Sequence, residues 1–401
     1  MAGCSAKFPE SETLRSPALH QPSHQAGQAQ VLLTELFEHD PTQPWALVRQ
    51  AGVSHSVALM QGAEQQARWL GAQSTGDAPE LLPIPDRGQR PWEEQGLRAL
   101  QRFHADRGFT LTVVEDTAPM DLVRLGLPGR DEQISHVIDQ IEAMGVCGIP
   151  VLCYNWMAMT SWARTHTDVV LRGGARSTGY EDAQAQAAAP LVQDGEVTDE
   201  QLWSSLSYFL EAVVPVAEAS GVRLALHPDD PPVPMMRGLP RIISSIAAYR
   251  RVVQLVPSRS NAITLCQGNV TLMTDDLPSV IREFGSADQI AFVHFRDVLG
   301  TVTRFVETFH DEGRTDMFAC LQAYREVGFT GPMRPDHVPS LEGEDNAKPG
   351  YAAMGRLFAL GYIAGLREAV YSHRPGRDGP ASVPDPLAVG GADHGISGNG
   401  G

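Results

Sequence analysis

Lysine is nearly missing from this 401-residue chain, where only Lys7 and Lys348 occur and the rest of the 31 basic residues are arginine. Lys7 falls in a polar N-terminal stretch and Lys348 in a loop, so Schiff-base chemistry is not the expected mechanism. Positive charge is also short: 31 basic against 48 acidic residues leaves a net charge of −17. Nucleic acid and anionic membranes need a basic face, so neither is an expected partner. The charge also disfavours a repair endonuclease. No apolar run approaches the length of a membrane span. The first 30 residues lack the apolar core of a secretory signal, which sets the expectation of a cytoplasmic protein. The five cysteines (Cys4, Cys147, Cys153, Cys266 and Cys320) are odd in number and without CxxC spacing, which fits a reducing compartment.

What remains is 42% hydrophobic, enough for a large core. Residues 1–28 and 374–401 are polar or rich in Gly and Pro and read as disordered tails. Between them, over 29–373, eight short apolar runs alternate with eight amphipathic stretches. The runs are 30–37, 53–60, 109–116, 148–156, 222–228, 262–268, 289–297 and 331–337. The stretches are 42–51, 92–107, 131–145, 199–220, 240–256, 277–285, 316–327 and 350–371. Eight of each predicts an α/β chain folded as a (β/α)8 TIM barrel. Two insertions, 61–91 and 157–198, fall on the face where such barrels place their chemistry and are candidate substrate lids.

The late runs end in metal-binding residue types. LALHPDD closes on His227, TLCQG on Cys266, FVHFRD on His294, and MRPDH on Asp336 and His337. A barrel gathers its strand ends around one axis, so two His, one Cys and one Asp would meet there as ligands of a divalent cation. Singly, each has an ordinary explanation: a buried cysteine packs, a strand histidine satisfies a core partner, an aspartate beside proline forms a turn. One per successive strand end is a pattern those explanations do not predict. Glu115 and Asn155 end the third and fourth runs. Arg296 follows His294 by two and shares its face, as a substrate contact or as a partner for Asp297 or Glu115. Asp229 and Asp230 read as loop structure, and Cys147, Cys153 and Cys320 as packing.

The stretches LALHPDDPPVPMMRGLPRI, ITLCQG, FVHFRDV, MRPDH and KPGYAAMGRL resemble the mannonate dehydratase family. VLCYNWMAMTSWART at 151–165 and HDEGRTDM at 310–317 resemble further family segments. The resemblance covers roughly 30–371. It implies a xylose-isomerase-like barrel, a divalent metal that is usually Mn2+ (Fe2+, Co2+ or Zn2+ as alternatives), and conversion of D-mannonate to 2-keto-3-deoxy-D-gluconate. By the same resemblance, His227, Cys266, His294 and Asp336 are the ligands. His337 and Tyr351 are the acid–base pair, and Arg296, Asn155, Glu115 and His310 meet the substrate. A sugar-type small molecule is the expected partner, in a homo-oligomer. The chain departs from the pattern at VALMQGA, where Met60 and Gln61 stand in place of paired histidines. It departs again at VVEDTAP, which keeps only Glu115, and at GNVT after the cysteine. Metal chemistry with an altered substrate follows. One alternative is a ketose nucleoside losing water in antibiotic biosynthesis, of the angustmycin type. A sugar isomerase or epimerase on the same barrel, and a sugar-binding protein with a decayed site, are the rival readings.

Overall fold

The computed structural model describes residues 29–38, 40–60, 86–192 and 196–372. The tails 1–28 and 374–401, most of the 61–91 insertion, and Gln61 lie outside the described residues. Eight parallel strands close into a barrel. In sequence these are β1 (Leu32–Phe37), β2 (His55–Ala58), β3 (Thr110–Val114) and β4 (Val151–Asn155). Then, past two strands outside the barrel, come β7 (Arg223–His227), β10 (Asn261–Cys266), β11 (Ile290–Phe295) and β14 (Pro332–Pro335). Seven fall within an apolar run, and β10 starts one residue before its own, at Asn261. β14 pairs β1 and completes the ring.

Inside the barrel, Leu36, Val57, Val113, Val151, Ala225, Ala262 and Phe292 form one packed cluster. Small alanines on β7 and β10 leave room for the Phe292 ring. A larger apolar sleeve joins the strands to the outer helices. The helix Asp199–Ser220 shows why its sequence folds as it does. Leu202, Leu206, Phe209, Val213 and Ala217 recur at helical spacing and are buried. Thr198 caps its start by accepting the Gln201 N–H, worth about 1 kcal/mol. Gly221 ends it in the left-handed region at φ 68°. Among the described residues, no helix is long and apolar enough to cross a membrane.

The 157–198 segment is more than a loop. Its strands β5 (His166–Val170) and β6 (Arg176–Glu181) join β12 (Val298–Thr301) and β13 (Arg304–Glu307) from the segment after β11. The four make an antiparallel sheet ordered β12-β13-β6-β5. Tyr180, Val233, Met236, Val298 and Phe305 pack together as its small core. Met235–Met236 (β8) and Leu239–Pro240 (β9) form a short ribbon in the segment after β7.

Candidate active site

Strand register sets the site. Asn155 lies opposite His227, Cys266 opposite His294, and His294 opposite Arg334. One ring of side chains therefore forms at the C-terminal mouth. The ligand atoms of His227, Cys266 and His294 lie within 4.8 Å of one another. His227 Nε2 and His294 Nδ1 are 3.2 Å apart. Asp336 Oδ2 is 3.6 Å from His294 Nδ1 and 3.8 Å from Cys266 Sγ.

Two ring orientations decide what this cluster can hold. His227 Nδ1 donates to the Pro228 carbonyl at 2.7 Å, which leaves its Nε2 as a lone pair. His294 Nδ1 faces that lone pair, and its Nε2 lies 3.2 Å from Glu115 Oε1. Burial pushes the His227 pKa down and keeps that ring neutral. Two imidazole nitrogens and a sulfur thus lie together, with a carboxylate oxygen of Asp336 beside His294 and Cys266. Tetrahedral coordination at about 2.1 Å per bond gives ligand–ligand edges of about 3.4 Å, close to these separations. His227, Cys266 and His294 fit a divalent cation, with Asp336 within reach of two of them.

Arginines brace the acids. Arg334 grips Glu115 with Nε to Oε2 at 2.9 Å and Nη2 to Oε1 at 2.6 Å, and sends Nη1 to Asp336 Oδ1 at 2.9 Å. Arg296 Nε lies 2.7 Å from Asp336 Oδ2. Burial alone would raise these carboxyl groups. For Glu115, Arg334 and His294 outweigh it and bring the pKa down to about 2. For Asp336, His337, Arg334 and His294 do the same and hold it well below the usual carboxylate range.

His337 and Tyr351 stand beside the cluster on the pocket wall, with ring centres 5.3 Å apart and nearly perpendicular. Trp162, from the segment after β4, packs 4.7 Å from the His337 ring and 6.1 Å from the Tyr351 ring. Burial and the nearby Asp336 push the Tyr351 phenol well above its ordinary value, so it keeps its proton.

Seven of the residues singled out from sequence line the pocket: Glu115, Asn155, His227, His294, Asp336, His337 and Tyr351. Cys266 sits beneath them, fully buried. Asn155 is partly committed, since its Oδ1 accepts the Met157 N–H at 3.0 Å. Arg296 is not on the wall. It is wholly buried, and its guanidinium reaches Glu307 (2.8 and 2.7 Å), Asp230 (2.9 Å) and Asn269 (2.6 Å). The expected partners Asp297 and Glu115 are not the ones it uses. His310 also stands off the wall: its Nε2 donates to the Phe295 carbonyl at 2.7 Å behind β11. Asp229 and Asp230, read as loop structure, are both tied into the fold, although Asp230 also lines the pocket. Asp229 accepts the Ile243 N–H at 2.7 Å, and Asp230 binds Arg164 at 2.6 Å. Cys153 bonds the Thr264 hydroxyl at 3.2 Å, and burial holds its thiol well above the ordinary range.

Sequence reasoning missed Arg334, Glu307, Arg164 and Trp162. Arg334 had a signal, because it precedes Asp336 by two and so shares a strand face with it. Glu307 and Arg164 had none. Met60, standing where histidine was expected, is buried, and Gln140 Nε2 approaches its sulfur at 3.6 Å.

Comparison with known proteins bears on the same residues. A sequence model of the D-mannonate dehydratase (UxuA) family matches residues 81–194 and 189–375. Mannonate dehydratase 2 of Halalkalibacterium halodurans is 34% identical over 307 residues, spanning 70% of this chain and 88% of that one. A mannonate dehydratase of Streptococcus agalactiae is 32% identical over 305 residues, spanning 70% and 87%. The crystal structure of mannonate dehydratase from Streptococcus suis superposes with a TM-score of 0.74 at 27% identity, covering 85% of this chain and 94% of that one. A D-psicose 3-epimerase from Clostridium cellulolyticum, at TM-score 0.51 and 13% identity over 85% and 99% of the two chains, shares the fold alone. With its barrel and these relatives in agreement, the chain belongs to the D-mannonate dehydratase family.

Proposed function

We propose that this protein is a divalent-metal-dependent hydro-lyase that removes water from a sugar acid or a related sugar. One observation carries the reading: four metal-type ligands converge at the barrel mouth beside a protonated tyrosine and a histidine. His227, Cys266, His294 and Asp336 would hold the cation. Mn2+ is the leading candidate from the family resemblance, although a thiolate ligand also suits Fe2+, Co2+ or Zn2+. When bound, the cation would bear negative charge developing on substrate oxygen. The four described cysteines are all free, which supports a reducing, cytoplasmic setting.

Elimination breaks one C–H and one C–O bond and forms a C=C bond. It needs a base at the carbon and an acid at the departing hydroxyl. Tyr351 holds its proton and suits the acid, releasing the hydroxyl as water. His337 then takes the carbon-bound proton. Glu115 and Asn155 line the wall where substrate hydroxyls would lie.

A second reading concerns the substrate. Among the described residues the arginines on the pocket wall are Arg124 and Arg334, and they are already paired with Asp121 and with Glu115 and Asp336. Neither is left to neutralise a substrate carboxylate. This favours a neutral polyol, such as a ketose nucleoside losing water to an exocyclic enol ether, as in angustmycin-type antibiotic biosynthesis. The test is to incubate the Mn2+-loaded protein separately with D-mannonate and with a ketose nucleoside. Formation of a 2-keto-3-deoxy acid supports the first reading. Loss of one water from the nucleoside, with D-mannonate untouched, supports the second. A product of unchanged mass would point instead to an isomerase and overturn both.

A further inference from the structure

We propose that Glu307 is a positioning residue for His337: its carboxylate accepts the ring's Nδ1 hydrogen and so presents Nε2 to the pocket. This rests on the reading of His337 as a proton-transfer group. Glu307 itself lies off the pocket wall, with its side chain 0% exposed. It ends β13, and the hairpin that carries it pairs with β6 of the segment after β4.

Counting hydrogens settles the direction of the bond. His337 Nδ1 is 3.0 Å from Glu307 Oε1 and 3.1 Å from Arg164 Nη2. An Arg Nη2 carries two hydrogens. Asp230 Oδ2 takes one at 3.1 Å and Glu307 Oε1 takes the other. No hydrogen remains for Nδ1 to accept, so Nδ1 carries its own. Glu307 also accepts from Arg296 Nη1 at 2.8 and 2.7 Å and from Arg164 Nε at 3.0 Å. A carboxylate holding two guanidinium groups is ionised and can only accept. Burial would raise its pKa, but Arg296 and Arg164 bring it down to about 2.

In a neutral ring, a hydrogen on Nδ1 leaves a lone pair on Nε2. That nitrogen lies 4.0 Å from Asp336 Oδ1. Trp162 and Tyr351 flank the ring and oppose its rotation. A buried carboxylate fixing the far nitrogen of a catalytic imidazole is the device of the serine-protease triad, reached here on a barrel. The wider consequence is that the antiparallel sheet, which has no residue among the metal ligands, holds the proton-transfer group in register through Glu307 and Arg164.

The test has two arms. The full chain, labelled with 15N-histidine and loaded with diamagnetic Zn2+, is compared with His337→Gln to assign the ring. Nδ1 of His337 should read as protonated, and a Nδ1 that reads as unprotonated overturns the proposal. In the second arm, Glu307→Gln removes the charge, and Glu307→Asp keeps it for the arginines while drawing it back by one methylene. With D-mannonate, kcat should fall about 10- to 100-fold in both, with KM within a few-fold. Wild-type kcat in a Glu307→Asp protein of wild-type melting temperature also overturns it. If the wild type does not act on D-mannonate, the substrate reading fails and the ring spectrum alone decides this one.

Discussion

Gly268 is a position where one added methyl group should do severe damage at the site. It directly follows Gln267 after Cys266, in the helix Gln267–Met273. A Cβ placed there would lie 2.4 Å from Arg296 Nη1 and 2.7 Å from Cζ. Ordinary contact is about 3.5 Å, so the guanidinium would have to retreat by about 1 Å. It has nowhere to go. Arg296 is 0% exposed and held by Glu307, Asp230, Asn269 and Asp336 at 2.6 to 2.9 Å. Breaking a buried charge pair costs about 3–5 kcal/mol, and the strongly paired geometry places Gly268→Ala in that range. At roughly 2 °C per kcal/mol for a long chain, melting should fall by about 6–10 °C. The displacement also moves Asp336, because Arg296 Nε holds one of its oxygens. Mn2+ affinity should therefore weaken about 10- to 100-fold. Calorimetry and Mn2+ titration read the two effects. A melting temperature within about 2 °C of wild type, with unchanged Mn2+ affinity, would refute both the steric argument and the link from Arg296 to the ligand set.

Gly361 makes the contrasting case, since it lies exposed in the last helix with nothing within 4 Å of an added Cβ. Gly361→Ala should stabilise the protein by about 1 kcal/mol, seen as a small rise in melting temperature. Replacing Cys266 by Ser removes the soft ligand, so Zn2+ affinity should drop by a larger factor than Mn2+ affinity in parallel titrations. Equal losses for both ions would place the sulfur outside the coordination sphere. Asp297 tests a pH effect away from the metal. Burial lifts its pKa from 3.8 to about 6. A carboxyl raised on folding stabilises fully below its unfolded value and loses that contribution as pH climbs through its folded value. Relative to Asp297→Asn, the wild type should lose on the order of 3 kcal/mol between pH ~4 and ~6 and little more above. A pH-independent difference between the two melting curves would contradict this.

The barrel was legible because its strands are apolar runs closed by chemistry-bearing residues, a pattern that period and spacing reveal. His227, Cys266, His294 and Asp336 were legible for the same reason, each standing at a strand end. The antiparallel sheet was not. HTDVV and RSTGYE are polar and lack the alternation that marks a half-buried strand. They pair with each other, and β6 pairs with β13, where Phe305 lies opposite Tyr180 in the sheet's small core. Arg296 shows a different limit. The two-residue spacing from His294 pointed it toward the site, but depth depends on which acids arrive from elsewhere. Asp230 and Glu307 arrive from the segments after β7 and β11, and they draw it below the wall. His310 fails likewise, because a histidine in a loop motif carries no sign of which backbone carbonyl it will find.

The shared sheet constrains how this enzyme can change. The segments after β4 and β11 are separated by more than a hundred residues, yet β6 and β13 are hydrogen-bonded neighbours. Neither can be exchanged alone for the corresponding loop of a relative without orphaning the other's backbone and detaching Arg164 from Glu307. Recombination between family members should therefore succeed only when both segments come from one parent. A designer seeking new substrates on this barrel inherits a two-part cassette rather than two independent loops.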